Sequence, residues 1–169
     1  MLRAAIGVSL VLLASAATAT AAHPDPRCSN AAAKKAVVAS TLPKRWRDAV
    51  QGKYGPYEGI GSVACKDVTG DGITDMVIAF SSGGTAGDVA WAVFRRASGV
   101  WKLALTRLEV YKLRLDVLAG DPIETVPVYK RDDANCCPTG GYDHTRWHWN
   151  GKRFAPIRNW HDKSWKPKV

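Results

Sequence analysis

The run Asp67-Val68-Thr69-Gly70-Asp71-Gly72-Ile73-Thr74-Asp75 sets oxygen-bearing side chains at nearly every second residue and leads into the apolar segment Met76-Val77-Ile78-Ala79-Phe80. That spacing, with Gly where the chain must reverse sharply, is how a short loop wraps a hard cation such as calcium. Counting Asp67 as position 1, the candidate metal ligands are the side chains of Asp67, Thr69, Asp71 and Asp75 and the backbone carbonyl of Ile73, with Gly72 at the sharpest point. An EF-hand needs a bidentate Glu at position 12. Ile78 stands there and a strand-like segment follows, so the loop is not an EF-hand. Thr69 lowers the charge of the loop and sets the expected affinity at roughly 0.1–1 mM. The same residues also describe a tight turn whose Asp and Thr side chains bond their own backbone without a metal.

Other residues with chemical potential are scattered. His144 and His148 lie four apart, about 13 Å along a strand, too far for one metal or a proton relay. Asp143 and His161 could join either of them only through folding. No Gly-Xaa-Ser-Xaa-Gly elbow, His-Glu-Xaa-Xaa-His or phosphate loop occurs. A pocket that brought His144 or His148 within hydrogen-bonding reach of a carboxylate would favour an enzyme. Of the tryptophans, Trp91, Trp101, Trp147 and Trp149 fall in alternating apolar sets and are expected in the core. Trp160 and Trp165 are left as candidates for stacking on carbohydrate.

Asp67 to Phe80, with Gly83-Gly84 and the segment Val89 to Phe94, resembles a single FG-GAP or VCBS unit, the calcium-loop repeat of secreted and adhesive proteins. The resemblance covers about a quarter of the chain and implies calcium on Asp67, Thr69, Asp71, Ile73 and Asp75. That family stacks many units into propeller blades. This chain has one unit and no repeat with a period of about 20–50 residues, so a propeller does not carry over. Asp-Val-Thr-Gly-Asp-Gly together with Asn135-Cys136-Cys137-Pro138 and Trp147-His148-Trp149-Asn150-Gly151-Lys152-Arg153-Phe154 is also similar to small exported actinobacterial proteins, some labelled as lipoproteins of the LppP/LprE type. A lipid-attachment cysteine is missing, because Cys28 lies beyond Pro24-Asp25-Pro26-Arg27.

The elements that must position these residues begin after a leader. Met1 to Ala22 combines Arg3, a short apolar run and a small-residue stretch, the pattern of a signal peptide. The expected mature product is secreted, extracellular and monomeric, with no transmembrane segment after signal cleavage. Four cysteines in an exported chain imply disulfides. Cys28 with Cys65 is the favoured pair and leaves the adjacent Cys136 and Cys137 to each other, while the crossed pairings stay open. The formal charge of +9 suits an anionic cell-wall polymer or glycan as partner; nucleic acid is not expected, since no run of five basic residues occurs.

Ser29 can cap a helix running to about Leu42, where Pro43 stops it, and Lys44 to Gln51 can add a turn or two around Trp46. Gly52 to Gly61 reads as loop. Period-two alternation then predicts strands over 75–81, 88–96, 100–106, 110–117, 123–130, 142–149 and 152–157. Asn150-Gly151 marks a hairpin, and Pro127 argues that its strand lies at an edge. The expected fold is α+β, an N-terminal helix packed on an antiparallel β-meander of about seven strands. It forms one domain over 23–158, followed by a basic, Trp-containing tail over 159–169. The expected function is a secreted, non-enzymatic domain with a structural calcium loop in a binding or envelope-associated role. The alternative is a carbohydrate or anionic cell-wall polymer binding module, and a hydrolase with a dispersed site ranks below both.

Overall fold

A computed structural model describes residues 27–168; the expected signal peptide lies outside the described residues. Helix α1 (Asn30–Ala39) starts where Ser29 accepts a hydrogen bond from the Ala32 amide at 3.2 Å, and α2 (Lys44–Ala49) follows Pro43. Eight strands come next: β1 (Glu58–Lys66), β2 (Asp75–Ser82), β3 (Asp88–Ala97), β4 (Val100–Arg107), β5 (Arg114–Leu118), β6 (Asp121–Pro127), β7 (Tyr142–Trp149) and β8 (Phe154–Asp162). They form two four-stranded antiparallel sheets, β1-β2-β3-β4 and β5-β6-β7-β8, each in chain order.

This corrects the expected α+β meander on two points. The described residues are mostly β, with two short helices and eight strands in two sheets instead of about seven strands in one. The overlooked strand is β1, whose Gly59 and Gly61 look like loop residues in sequence. Both glycines answer to close approach. A Cβ on Gly59 would sit 3.2 Å from the Ala49 carbonyl oxygen, and one on Gly61 would sit 2.3 Å from Asp88 Oδ1. The division into two sheets comes from the link after β4, where Glu109 (φ 59°) and Lys112 (φ 53°) turn the backbone and shorten the expected 110–117 strand to Arg114–Leu118. Pro127 does not mark an edge either. Its strand β6 is paired on both sides, and Pro127 is its last residue, where a missing amide does least damage to the ladder.

The first sheet is buried on both faces, which explains the unbroken apolar run of β2. On one side Met76, Ile78, Phe80, Ala90, Ala92 and Phe94 pack under the helices with Ala33, Val37, Leu42 and Trp46. On the other, Val77, Trp91 and Val93 meet Phe154 and the partly buried Leu115, Val117, Val126, Trp147 and Trp149 of the second sheet. Trp91 and Trp147 touch edge to face at 6.0 Å across this interface. Cys28 and Cys65 are joined with S–S 2.00 Å, fastening the residue just before α1 to the end of β1. Cys136 and Cys137 are joined to each other in the β6–β7 loop.

The 159–169 segment begins as strand. β8 continues to Asp162, so Trp160 is a strand residue and stacks on His144 at 4.8 Å. Beyond it Trp165 returns to the second sheet and lies under the Arg114 guanidinium, 4.0 Å from the ring centroid.

Candidate functional site

The Asp-rich loop folds as a self-capped turn. Asp75 is completely buried at the start of β2, and its carboxylate accepts from the Val68 amide (3.1 Å), the Thr69 amide (3.0 Å), the Thr69 hydroxyl (2.9 Å) and the Arg96 amide (3.3 Å). Burial pushes this carboxyl above its ordinary range, against the downward pull of those bonds. Asp67 accepts from the Gly70 amide at 2.7 Å and the Gly72 amide at 2.8 Å, and Asp71 from the Ile73 amide at 2.9 Å. Gly70 (φ 71°) and Gly72 (φ 79°) supply the left-handed backbone that lets the chain curl over Asp67. Calcium needs six to eight oxygens converging on one point. Asp75 has both oxygens committed inward, and no group of three or more His, Cys, Asp or Glu side chains that could hold a metal lies among the described residues. Asp67, Thr69, Asp71, Ile73 and Asp75, as arranged, do not fit a calcium cage.

Among the described residues, His144, His148 and His161 each have a partner, but in separate places. His144 is buried. Its Nδ1 meets the Thr125 hydroxyl at 2.8 Å and its Nε2 donates to the Ser164 carbonyl at 3.1 Å, so it ties the C-terminal segment to the sheet. His161 Nδ1 bonds the exposed Asp143 at 2.8 Å. His148 Nδ1 bonds Asp121 at 2.8 Å, and Arg146 Nε donates to the other oxygen of the same buried carboxylate at 2.6 Å. His148 and Asp121 border a cavity of about 230 Å³ whose far wall is Asp67 to Gly70.

A different cavity has the more varied lining. It measures about 260 Å³ and opens where the β2–β3 loop, the start of β5 and the β6–β7 loop converge. That is close to the lower end, about 300 Å³, of ordinary small-molecule pockets. Its wall carries two cations (Lys112 and Arg114), one acid (Asp88), two phenols (Tyr129 and Tyr142) and Cys136 of the adjacent-residue disulfide. The loop bearing Cys136 is tightly held. Asp133 accepts from the Lys130 amide (2.7 Å), the Thr139 amide (2.8 Å) and the Thr139 hydroxyl (2.7 Å), and these bonds keep its carboxyl below the usual range. Around Asn135, the Tyr129 hydroxyl donates to the backbone carbonyl at 2.8 Å, Lys112 Nζ donates to the same carbonyl, and the Tyr111 hydroxyl donates to the side chain.

Asp88 is the unusual member. It is half-buried, its Oδ1 lies over Gly61, and no donor reaches its carboxylate among the described residues. Burial pushes it above the ordinary carboxylate range with no opposing bond. A half-buried acid without a partner is destabilising by itself, and such groups gather where a ligand supplies the missing donor.

No protein-family model, curated protein or solved structure matches the chain. The functional reading therefore rests on this chain's own residues.

The aromatic candidates shift from tryptophan to tyrosine. Trp91 is fully buried, Trp101, Trp147 and Trp149 pack against the two cores, and Trp160 and Trp165 are occupied by His144 and Arg114. Among the described residues the exposed tyrosine and tryptophan rings are Tyr57 (79%), Tyr54 (52%), Tyr111 (46%) and, under Arg114, Trp165 (38%). The sequence signal for the cavity was slight: Tyr129, Tyr142, Lys112 and Arg114 are spread over 31 positions and belong to no motif.

Proposed function

We propose that this chain is an exported, non-enzymatic binding domain whose ligand site is the cavity at Asp88, Lys112, Arg114, Tyr129 and Tyr142, and that its ligand is a sugar-bearing component of the cell envelope. The observation that carries the reading is that one small cavity joins phenol rings, cations and an unpartnered carboxylate. Rings that stack on a sugar face, with charged groups that bond its hydroxyls, are the ordinary ingredients of such a site. Export is supported by the leader and by two disulfides with no free cysteine among the described residues. In this reading the Asp67 loop is a structural turn that anchors β2.

The test is retention of the mature protein on isolated envelope polysaccharide, compared with Tyr142→Ala, whose folding is checked by thermal unfolding. Loss of retention in a folded variant supports the cavity; equal retention removes it from the assignment.

One observation favours a second reading as an acid–base enzyme: the His148–Asp121 pair beside its own cavity. A buried carboxylate that fixes Nδ1–H leaves Nε2 free to move a proton. Hydrolysis of a panel of glycosides and esters by the wild type, abolished in His148→Ala, would move the assignment to this pair.

A further inference from the structure

The charge of the cavity wall bears on which sugar it holds, an inference that rests on the binding reading above. Arg114 Cζ lies over the Trp165 ring, 4.0 Å from its centroid, a contact that engages the π-face without using up the N–H donors of the guanidinium. Among the described residues no carboxylate pairs with Arg114 and no acceptor takes its N–H groups. Lys112 is held in a similar way. Its ammonium donates to the Asn135 carbonyl and sits 5.6 Å from the ring centroids of both Tyr111 and Tyr129. It is a positive charge with no anionic partner among the described residues.

Two cations therefore border one small space, each facing aromatic rings instead of a counter-ion. Asp88, the only acid on the wall, lies over Gly61 in the first sheet, and its carboxylate needs a hydrogen-bond donor. A guanidinium with its fork free matches a planar carboxylate with two parallel bonds. An unpartnered carboxylate matches a hydroxyl. Tyr142 and Pro127 provide surface for the face of a ring. The volume of about 260 Å³ suits one ring, not a stretch of polymer.

We infer that the cavity takes a single hydroxylated ring bearing a carboxylate, the chemistry of a uronic acid unit, with the carboxylate on Arg114 and a ring hydroxyl on Asp88. Trp165 is then a positioning residue: it holds the guanidinium over its ring and lowers the entropy lost when the fork closes on its ligand. The C-terminal segment, tied down through His144 and Ser164, completes the site instead of binding by itself.

The experiment is titration of the full oxidised mature protein with glucuronic acid, glucose and inorganic phosphate, followed by heteronuclear NMR shifts. Glucuronic acid should bind about ten- to a hundred-fold more tightly than glucose, the range expected for a charge-assisted bidentate contact. Arg114→Gln should erase that preference while leaving the melting temperature near wild type. Arg114→Lys should fail to restore it, and Trp165→Ala should weaken it. Equal binding of glucuronic acid and glucose, unaffected by Arg114→Gln but lost in Tyr142→Ala, would overturn the carboxylate inference and leave the binding domain standing. Phosphate binding as tight as glucuronic acid would overturn it in favour of a simple oxyanion site. No shift with any sugar, together with no retention on envelope polysaccharide, would overturn the binding reading itself.

Discussion

Trp91 of β3 and Glu124 of β6 meet across the two sheets, the indole Nε1–H donating to Glu124 Oε2 at 2.6 Å. Arg107 closes on the same carboxylate with two bonds, Nε to Oε2 and a terminal nitrogen to Oε1, each 3.1 Å. Glu124 is 3% exposed, so one buried charge and three donors register the sheets on each other. Arg107 is 40% exposed and can turn to solvent, whereas the buried Trp91 Nε1–H would lose its acceptor. Glu124→Ala should therefore cost about 1–3 kcal/mol in urea unfolding. A loss below 1 kcal/mol would show that apolar packing alone sets the sheet-to-sheet register.

Asp75 should behave as a structural carboxylate. Asp75→Ala strands the Val68, Thr69 and Arg96 amides in or near the core and should destabilise the fold by about 2–4 kcal/mol. Thermal unfolding in excess chelator and in millimolar calcium should superimpose. A calcium site at a hundred times its Kd would add about 2.7 kcal/mol, so a saturable rise in Tm would restore the loop as a metal site.

Asp88 predicts a pH dependence of definite sign. Its proton is held more tightly in the folded chain than at the ordinary value of 3.8, so between that value and the raised folded pKa the native state binds more protons than the unfolded one. Its contribution is present below pH 3.8 and is lost as the pH rises through the folded pKa. Asp88→Asn escapes that loss. The variant should unfold at a higher temperature than wild type at pH 7, with the gap narrowing towards pH 3. A gap that stays constant with pH would mean that the carboxylate is not desolvated.

The Cys28–Cys65 bridge spans 37 residues, and chain-entropy bookkeeping for a loop of that length gives about 4 kcal/mol. The double variant Cys28→Ser/Cys65→Ser should lose stability on that scale, measured by denaturant unfolding. Reduction of wild type with a dithiol should lower stability at least as far. If the variant matched oxidised wild type, the helices would be held by packing on Phe80 and Trp46 alone.

Local pattern carried much of this molecule. The cap at Ser29, the unbroken apolar run of β2, the β3–β4 hairpin and the Asn150-Gly151 turn depend on neighbours a few residues apart, and they appear in the structure at the expected places; the first helix ends at Ala39, short of the expected Leu42, and Pro43 instead precedes α2. β1 was illegible because its glycines answer to contacts with Ala49 and Asp88, which are distant in sequence. For the Asp67 loop, spacing alone was compatible with a metal cage or with a capped turn. The inward rotation of Asp75 onto four donors depends on β3 arriving beside it with the Arg96 amide. The division into two sheets and the cavity joining Asp88 to Arg114 and Tyr142 follow from long-range packing, because backbone hydrogen bonds and ring contacts there join residues tens of positions apart. Sequence by itself determined which segments could be strands and where they turn. Only tertiary structure decided which side chains share a space, because convergence depends on how whole sheets pack and not on any local period.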